Sequence, residues 1–313
     1  QVAAVRYPRS LEGDSYVGGF YTGREEGGAF NRVYGGDGSL RVTQAAALGV
    51  YAFWSSTRPH GGDTTDGHSV LANYSHDNRK MNLYFQALDI SKGFDTWTGY
   101  VTRAGIFQAS ALFTPRFYPA NSVVRRVEPN VIADYVRDAE SGLWEQWYQG
   151  GLTVVLPRAG RVNVSYHWSN EVFEKEDFDT SGIQIQSSGQ LTKQLRLQGT
   201  FAHQQAIYYS ADPSAGRSTS ATAVLLYQPS EQWLFDVRGT YSGFVQAEGS
   251  RRLYDYGIYR AKATYQWNRY LFFRGIGEYN TYRRQLLTDF LASFTYIPGT
   301  VFHVGYGSLY EKV

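Results

Sequence analysis

The sequence predicts an all-β chain, a transmembrane antiparallel up-and-down β-barrel with about 18 strands visible. Three observations predict it: apolar and polar residues alternate in long runs, the runs outlast soluble strands, and aromatic rings bracket their apolar faces. Successive side chains of a strand point to opposite faces, so alternation marks one apolar and one polar face. Val162, Val164, Tyr166 and Trp168 alternate with Asn163, Ser165, His167 and Ser169. Trp233, Phe235, Val237, Gly239 and Tyr241 alternate with Asp236, Arg238, Thr240 and Ser242. Tyr259, Ala261, Ala263, Tyr265 and Trp267 alternate with Arg260, Lys262, Thr264 and Gln266. Soluble strands run about 5–6 residues, whereas a tilted membrane-crossing strand needs roughly 9–11. The rings at Trp233 and Tyr241, Tyr259 and Trp267, and Phe302 and Tyr310 are spaced as interfacial girdles would be. A large soluble sandwich or propeller would need shorter strands and more frequent turns.

In chain order the strands are expected near 2–9, 14–24, 30–42, 45–57, 67–76, 79–90, 103–117, 122–139, 143–156, 160–173, 179–190, 194–210, 217–228, 231–244, 252–267, 269–282, 285–297 and 300–312. No linker or composition shift divides them, so 1–313 reads as a single outer-membrane barrel domain. Short turns are expected at Thr43-Gln44, His76 to Arg79, Pro157 to Gly160, Gln190 to Lys193, Pro229-Ser230, Trp267-Asn268 and Pro298-Gly299. Longer polar connections run from Ser56 to Gly67, Asp89 to Thr102, Glu171 to Asp179, Ala211 to Gly216 and Gln246 to Arg251. Outer-membrane barrels have short periplasmic turns and long outer loops. On that rule the first strand starts outside and the last ends outside. The expectation is therefore a fragment lacking terminal strands and any periplasmic domain, cut from a barrel of about 20 strands.

Composition narrows the classes. The mean hydropathy is -0.40, and no run of about 18 apolar residues could form a transmembrane helix. The chain holds 26 Tyr, 18 Phe, 7 Trp and no Cys. A disulfide framework, a Cys-ligated zinc site and a cysteine nucleophile are thereby excluded. The net charge of +2, from 30 basic and 28 acidic residues, gives no case for a nucleic-acid partner. The chain opens at Gln1 with no signal peptide, as a processed chain or a fragment would.

Three stretches near the start carry a resemblance: Val5-Arg6-Tyr7-Pro8-Arg9, Tyr16-Val17-Gly18-Gly19-Phe20-Tyr21-Thr22, and Asn31-Arg32-Val33-Tyr34-Gly35-Gly36-Asp37. The closing stretches are Leu271-Phe272-Phe273-Arg274, Tyr279-Asn280-Thr281-Tyr282, Leu286-Leu287-Thr288-Asp289-Phe290 and Tyr296-Ile297-Pro298-Gly299-Thr300. They resemble the uncharacterised outer-membrane β-barrel domain that follows a periplasmic carbohydrate-binding module of the family-nine type. The resemblance spans most of the chain and implies further strands before and after it. The binding module is absent from the sequence, and no functional residue is carried over.

Six charged residues are the candidate lumen lining: Asp236, Arg238, Arg260, Lys262, Arg274 and Glu278, with Asn280 beside them. Alternation puts them on the polar faces of three successive strands. A charged constriction would tune solute selectivity; the plainer reading is a neutralised interior whose charges pair across strands. The four basic residues outnumber the two acidic ones, which would make an open path mildly anion-selective.

Other clusters fit chemistry less well. His60, Asp63, Asp66 and His68 read as a flexible loop among Gly61, Gly62 and Gly67, with no metal-ligand pattern. Glu171, Glu174, Glu176, Asp177 and Asp179 read as a solvated acidic connection without a calcium register. His167 and His303 fall on polar faces, and Ser165 and Ser169 flank His167. Same-face neighbours in a strand sit about 7 Å apart, loose for a Ser–His bond. No GxSxG element occurs, and Gly18-Gly19 and Gly35-Gly36 lie in strands rather than in a phosphate-cradling loop.

The leading functional expectation is a pore or transport protein passing small solutes across the bacterial outer membrane. The alternative is a non-conducting barrel that anchors or sleeves partner subunits, or a surface or periplasmic domain. An outer-membrane hydrolase is the third and least supported. The expected surroundings are outer-membrane lipid and lipopolysaccharide, with no cofactor, no metal and no nucleic acid.

Overall fold

The computed structural model describes residues 1–311 except 121–122, 174–175, 211 and 298. Among the described residues nineteen strands form one antiparallel up-and-down sheet. In chain order they are β1 (Val2–Ser10), β2 (Tyr16–Glu26), β3 (Ala29–Thr43), β4 (Ala46–Arg58), β5 (Thr65–Asp77), β6 (Met81–Ile90), β7 (Ile106–Pro115), β8 (Arg126–Asp138), β9 (Trp144–Leu156) and β10 (Gly160–Phe173). They continue as β11 (Glu176–Asp179), β12 (Gly182–Gln190), β13 (Leu195–Tyr208), β14 (Ser214–Tyr227), β15 (Trp233–Gln246), β16 (Arg252–Gln266), β17 (Leu271–Asn280), β18 (Gln285–Ile297) and β19 (Thr300–Glu311). Among the described residues the only helical segment is a single 3-10 turn, Glu248–Ser250. The all-β expectation is met.

Sequence and structure differ at one element. The expected loop from Glu171 to Asp179 contains β11, four residues long, beside β10, and β10 also pairs with β12. A strand that short shows no readable alternation, so the expected count of eighteen falls one below the nineteen found. Ala211 and Pro298, placed at two expected connections, and Glu174 of the acidic run lie outside the described residues.

The sheet divides into two compact units: Gln1–Phe117 with Glu128–Gly150 and Trp168–Asp177, and Tyr118–Val127 with Gly151–His167 and Phe178–Val313. In the first unit the register sets Tyr21 opposite Tyr34 and Tyr34 opposite Trp54. All three rings are exposed. The other face of β2–β5 buries Thr22, Asn31, Ser55, Thr57 and Ser69. The usual arrangement of a water-soluble sheet is therefore inverted, with rings outside and hydroxyls covered.

In the second unit β15 and β16 pair Phe235 with Ala263 and Val237 with Ala261 on one face, and Asp236 with Lys262 and Arg238 with Arg260 on the other. Val237, Tyr259 and Trp233 are exposed on the apolar face. Trp233 stacks on Phe235 at 5.3 Å and packs 4.5 Å from Tyr265, binding three neighbouring rings into one patch.

Candidate functional site

The connection from β6 to β7 reads in sequence as a long polar loop, yet it folds back across the polar face of β2–β5. Its first turn is fixed by paired bonds to β5: the Ser91 amide donates to the His68 carbonyl at 2.9 Å, and the His68 amide donates to Ser91 Oγ at 2.7 Å. The crossing depends on two glycines. A Cβ on Gly67 would fall 2.1 Å from the Phe94 amide nitrogen, and one on Gly93 would fall 2.3 Å from the Asp66 carbonyl oxygen. With both bare, the two backbones touch and Phe94 is buried.

Asn31 holds the next part of the connection and is fully buried. Its Nδ2 donates to Thr57 Oγ1 at 2.6 Å and to the Asp95 carbonyl at 2.9 Å, and its Oδ1 accepts the Trp97 amide at 2.9 Å. The Asp95 amide donates to Ser55 Oγ at 3.2 Å, and the Thr22 and Thr98 hydroxyls share a bond of 2.8 Å. A covered polar group without a partner costs about 1–3 kcal/mol, so these side chains and the connection satisfy one another.

Arg103 fastens the far end. Its Nη1 donates to both Glu145 oxygens at 2.9 and 2.8 Å, and its Nη2 donates to Asp138 Oδ2 at 2.7 Å. The other oxygen of Asp138 accepts the amides of Glu140 and Ser141 and the Ser141 hydroxyl, closing the β8–β9 turn. Partial burial opposes the charge of Arg103, but the bonds to Asp138 and Glu145 outweigh it and raise its pKa above the ordinary value. A cation held by charge-assisted bonds to two carboxylates is a firm anchor.

Between residues 94–102 and the sheet lies an open cavity of about 430 Å3. Its wall carries Phe20, Tyr51 and Phe53. Tyr51 and Phe53 stack at 4.9 Å, and Phe20 meets Phe53 at 5.5 Å. Gly35 lies opposite both phenylalanines in the register. A Cβ there would fall 2.0 Å from the Ala52 carbonyl oxygen, so the position stays bare and the rings close over it.

The six charged candidates lie in the second unit, on one face of β15, β16 and β17. Lys262 Nζ is 3.2 Å from Asp236, Arg260 is 3.5 Å from Glu278, and Arg274 is 3.2 Å from Asp289 on β18. Asp289 lies on a fourth strand, one beyond the three that hold the expected candidates. With it the ratio of basic to acidic groups falls from four to two to four to three. Arg238 sits directly opposite Arg260 and, among the described residues, has no ion-pair partner. Asn280 lies opposite Ile258 at the end of the same face.

The remaining candidates separate. Asp66 and His68 belong to β5 rather than to a loop, and His68 Nε2 stands 2.6 Å from Asp89 Oδ2. His60 and Asp63 stay in the β4–β5 connection. Asp177, on β11, accepts from Asn170 at 2.6 Å. Among the described residues no group of three His, Asp or Glu side chains is placed to hold a metal ion. His167 is buried, and its Nε2–H donates to the Thr180 carbonyl at 2.8 Å, which occupies that nitrogen. His303 lies opposite Ser293.

No family model matches the chain, and no curated protein does. Among solved structures, a doubly substituted ferric enterobactin receptor from Pseudomonas aeruginosa is similar over 95% of this chain and 63% of its own, at 9% identity and a TM-score of 0.50. The chain has an antiparallel up-and-down β-barrel fold. A singly substituted form of the same receptor is similar over 98% of this chain and 66% of its own, at 9% identity and a TM-score of 0.46. The chain thus spans less than two thirds of the doubly substituted receptor's length.

Proposed function

We propose that the chain is the membrane-embedded part of an outer-membrane barrel in a Gram-negative bacterium, passing small solutes along its polar face. The observation that carries this reading is the connection 91–105, pinned to the polar face of β2–β5 at Asn31, Ser55 and Thr22. A segment held there narrows the path without filling it, since a cavity remains beside it. The exposed rings of the opposite face suit lipid and its headgroups. In the second unit the ion-paired ladder of charges on β15–β18 suits contact with an aqueous path.

The test is conductance of the folded chain in planar bilayers. Discrete channels are expected. Arg103→Ala, which frees the far end of the connection, should give larger and noisier openings. A folded chain that never conducts would overturn the passage reading and leave a non-conducting anchor in its place.

A further inference from the structure

We propose that the cavity under residues 94–102 binds a neutral, polyhydroxylated ring, such as a sugar residue. The inference rests on reading the polar face as the wall of an aqueous path, and it adds a ligand class to that reading. The lining mixes five aromatic rings and three aliphatic side chains with a row of hydroxyls, and it contains no carboxylate, ammonium, guanidinium or imidazole. Tyr51, Phe53 and Phe20 are only half-buried, so part of each ring faces the cavity. The cavity falls within the range of about 300–1,000 Å3 usual for small-molecule sites.

The chemistry of the lining selects among solutes. A charged solute would lose water here and gain no counter-charge, which is costly. A purely apolar solute would make no use of the lining's hydroxyls, which would go on bonding one another at Thr22–Thr98 and Ser69–Tyr51. A sugar ring is neutral and uses rings and hydroxyls alike. Its C–H face carries slight positive charge and lies on the negative face of an aromatic ring. Its equatorial hydroxyls reach sideways. Thr22 and Thr98 sit at one side, and Ser69 donates to the Tyr51 hydroxyl at a long 3.4 Å, a bond easily exchanged for one to a ligand. Those hydroxyls both donate and accept, as a polyol requires.

The test uses the full chain, folded in a detergent without a sugar headgroup, and calorimetric titration with glucose, maltose, gluconate and benzoate. Saturable heat with the two neutral sugars is expected, and none with the two anions. Phe53→Leu, which keeps the apolar bulk but removes the ring face, should weaken sugar binding by roughly tenfold. Thr222→Ala, on β14 and not in the lining, should leave it unchanged. Retained strand content by circular dichroism shows that a variant has folded. Benzoate binding without sugar binding, or no binding of any probe by the folded chain, overturns the proposal. So does sugar binding that Phe53→Leu leaves intact. Binding is read without a bilayer, so its outcome is independent of conductance. Channels that conduct while no sugar binds would remove the site and keep the passage reading.

Discussion

The polar faces of β2–β5 and of β15–β18 arise from the same alternation but have opposite fates. On β2–β5, Thr22, Asn31, Ser55 and Ser69 are 4%, 0%, 2% and 4% exposed, beneath a connection that covers them. On β15–β18, the side chains of Arg260, Arg274 and Asp289 remain 48%, 35% and 39% exposed. Hydroxyls and carboxamides can be covered because neighbouring amides, carbonyls and hydroxyls supply the bonds they need, as the three at Asn31 show. Taking ions out of water costs several kcal/mol apiece, so paired charges are cheapest left wet. What lies on a strand's second face thus decides whether a neighbouring segment settles on it.

The outward faces should not share this difference, and the largest expected effect tests that. Ala87→Arg on β6 and Ala263→Arg on β16 should each destabilise the barrel by about 2–4 kcal/mol near the bilayer midplane. Their polar-face neighbours Gln86→Ala and Lys262→Ala should be far milder. Urea unfolding in lipid measures all four, and an outward cost in one region only would break the comparison.

Gly67→Val attacks the covered region alone. Its added carbons run into the backbone of Gly93 and Phe94, and forced overpacking costs about 1–3 kcal/mol. Residues 91–105 should become sensitive to protease while strand content holds. If they stay protected, the glycine contact is not what seats the connection.

Asn31→Ala and Asp236→Asn sharpen the contrast between buried and wet partners. The first strips three bonds from a fully covered site and should cost about 1–3 kcal/mol. The second breaks a half-exposed ion pair and should cost at most about 1 kcal/mol. Equal costs would mean that burial does not separate the two faces.

The smallest effect belongs to selectivity. With Asp289 counted, the basic excess is slight, and Arg238 supplies it. Arg238→Glu should move the reversal potential towards cations at low salt, and the shift should fade as salt screens over about 10 Å at 0.1 M. An unchanged potential would place Arg238 outside the conducting path.

Strand identity was largely legible because alternation is a local signal. The ranges 160–173 and 285–297 coincide with β10 and β18. The polar-face position of the six charged residues followed from the same parity. Their partners followed less completely, since Arg274 is paired by a residue on a strand beyond those counted. The fold-back of residues 91–105 was not legible. Asn31 and Trp97 are 66 positions apart, and no period links them. Gly67 reads in sequence as a loop glycine, and only the crossing shows that it and Gly93 make room for each other.

That crossing also sets an order of events during assembly. The β6–β7 hairpin closes locally, but its connection can dock only on β2–β5 already paired, across separations of 40 to 76 residues. Docking is therefore a late step, and its reversal should not require the ladder to open. The amides of Asp95 and Trp97 bond to side chains of β4 and β3, not to a strand partner. In deuterated solvent they should exchange before the ladder amides around them, at a rate that reports how often this segment lifts from its seat.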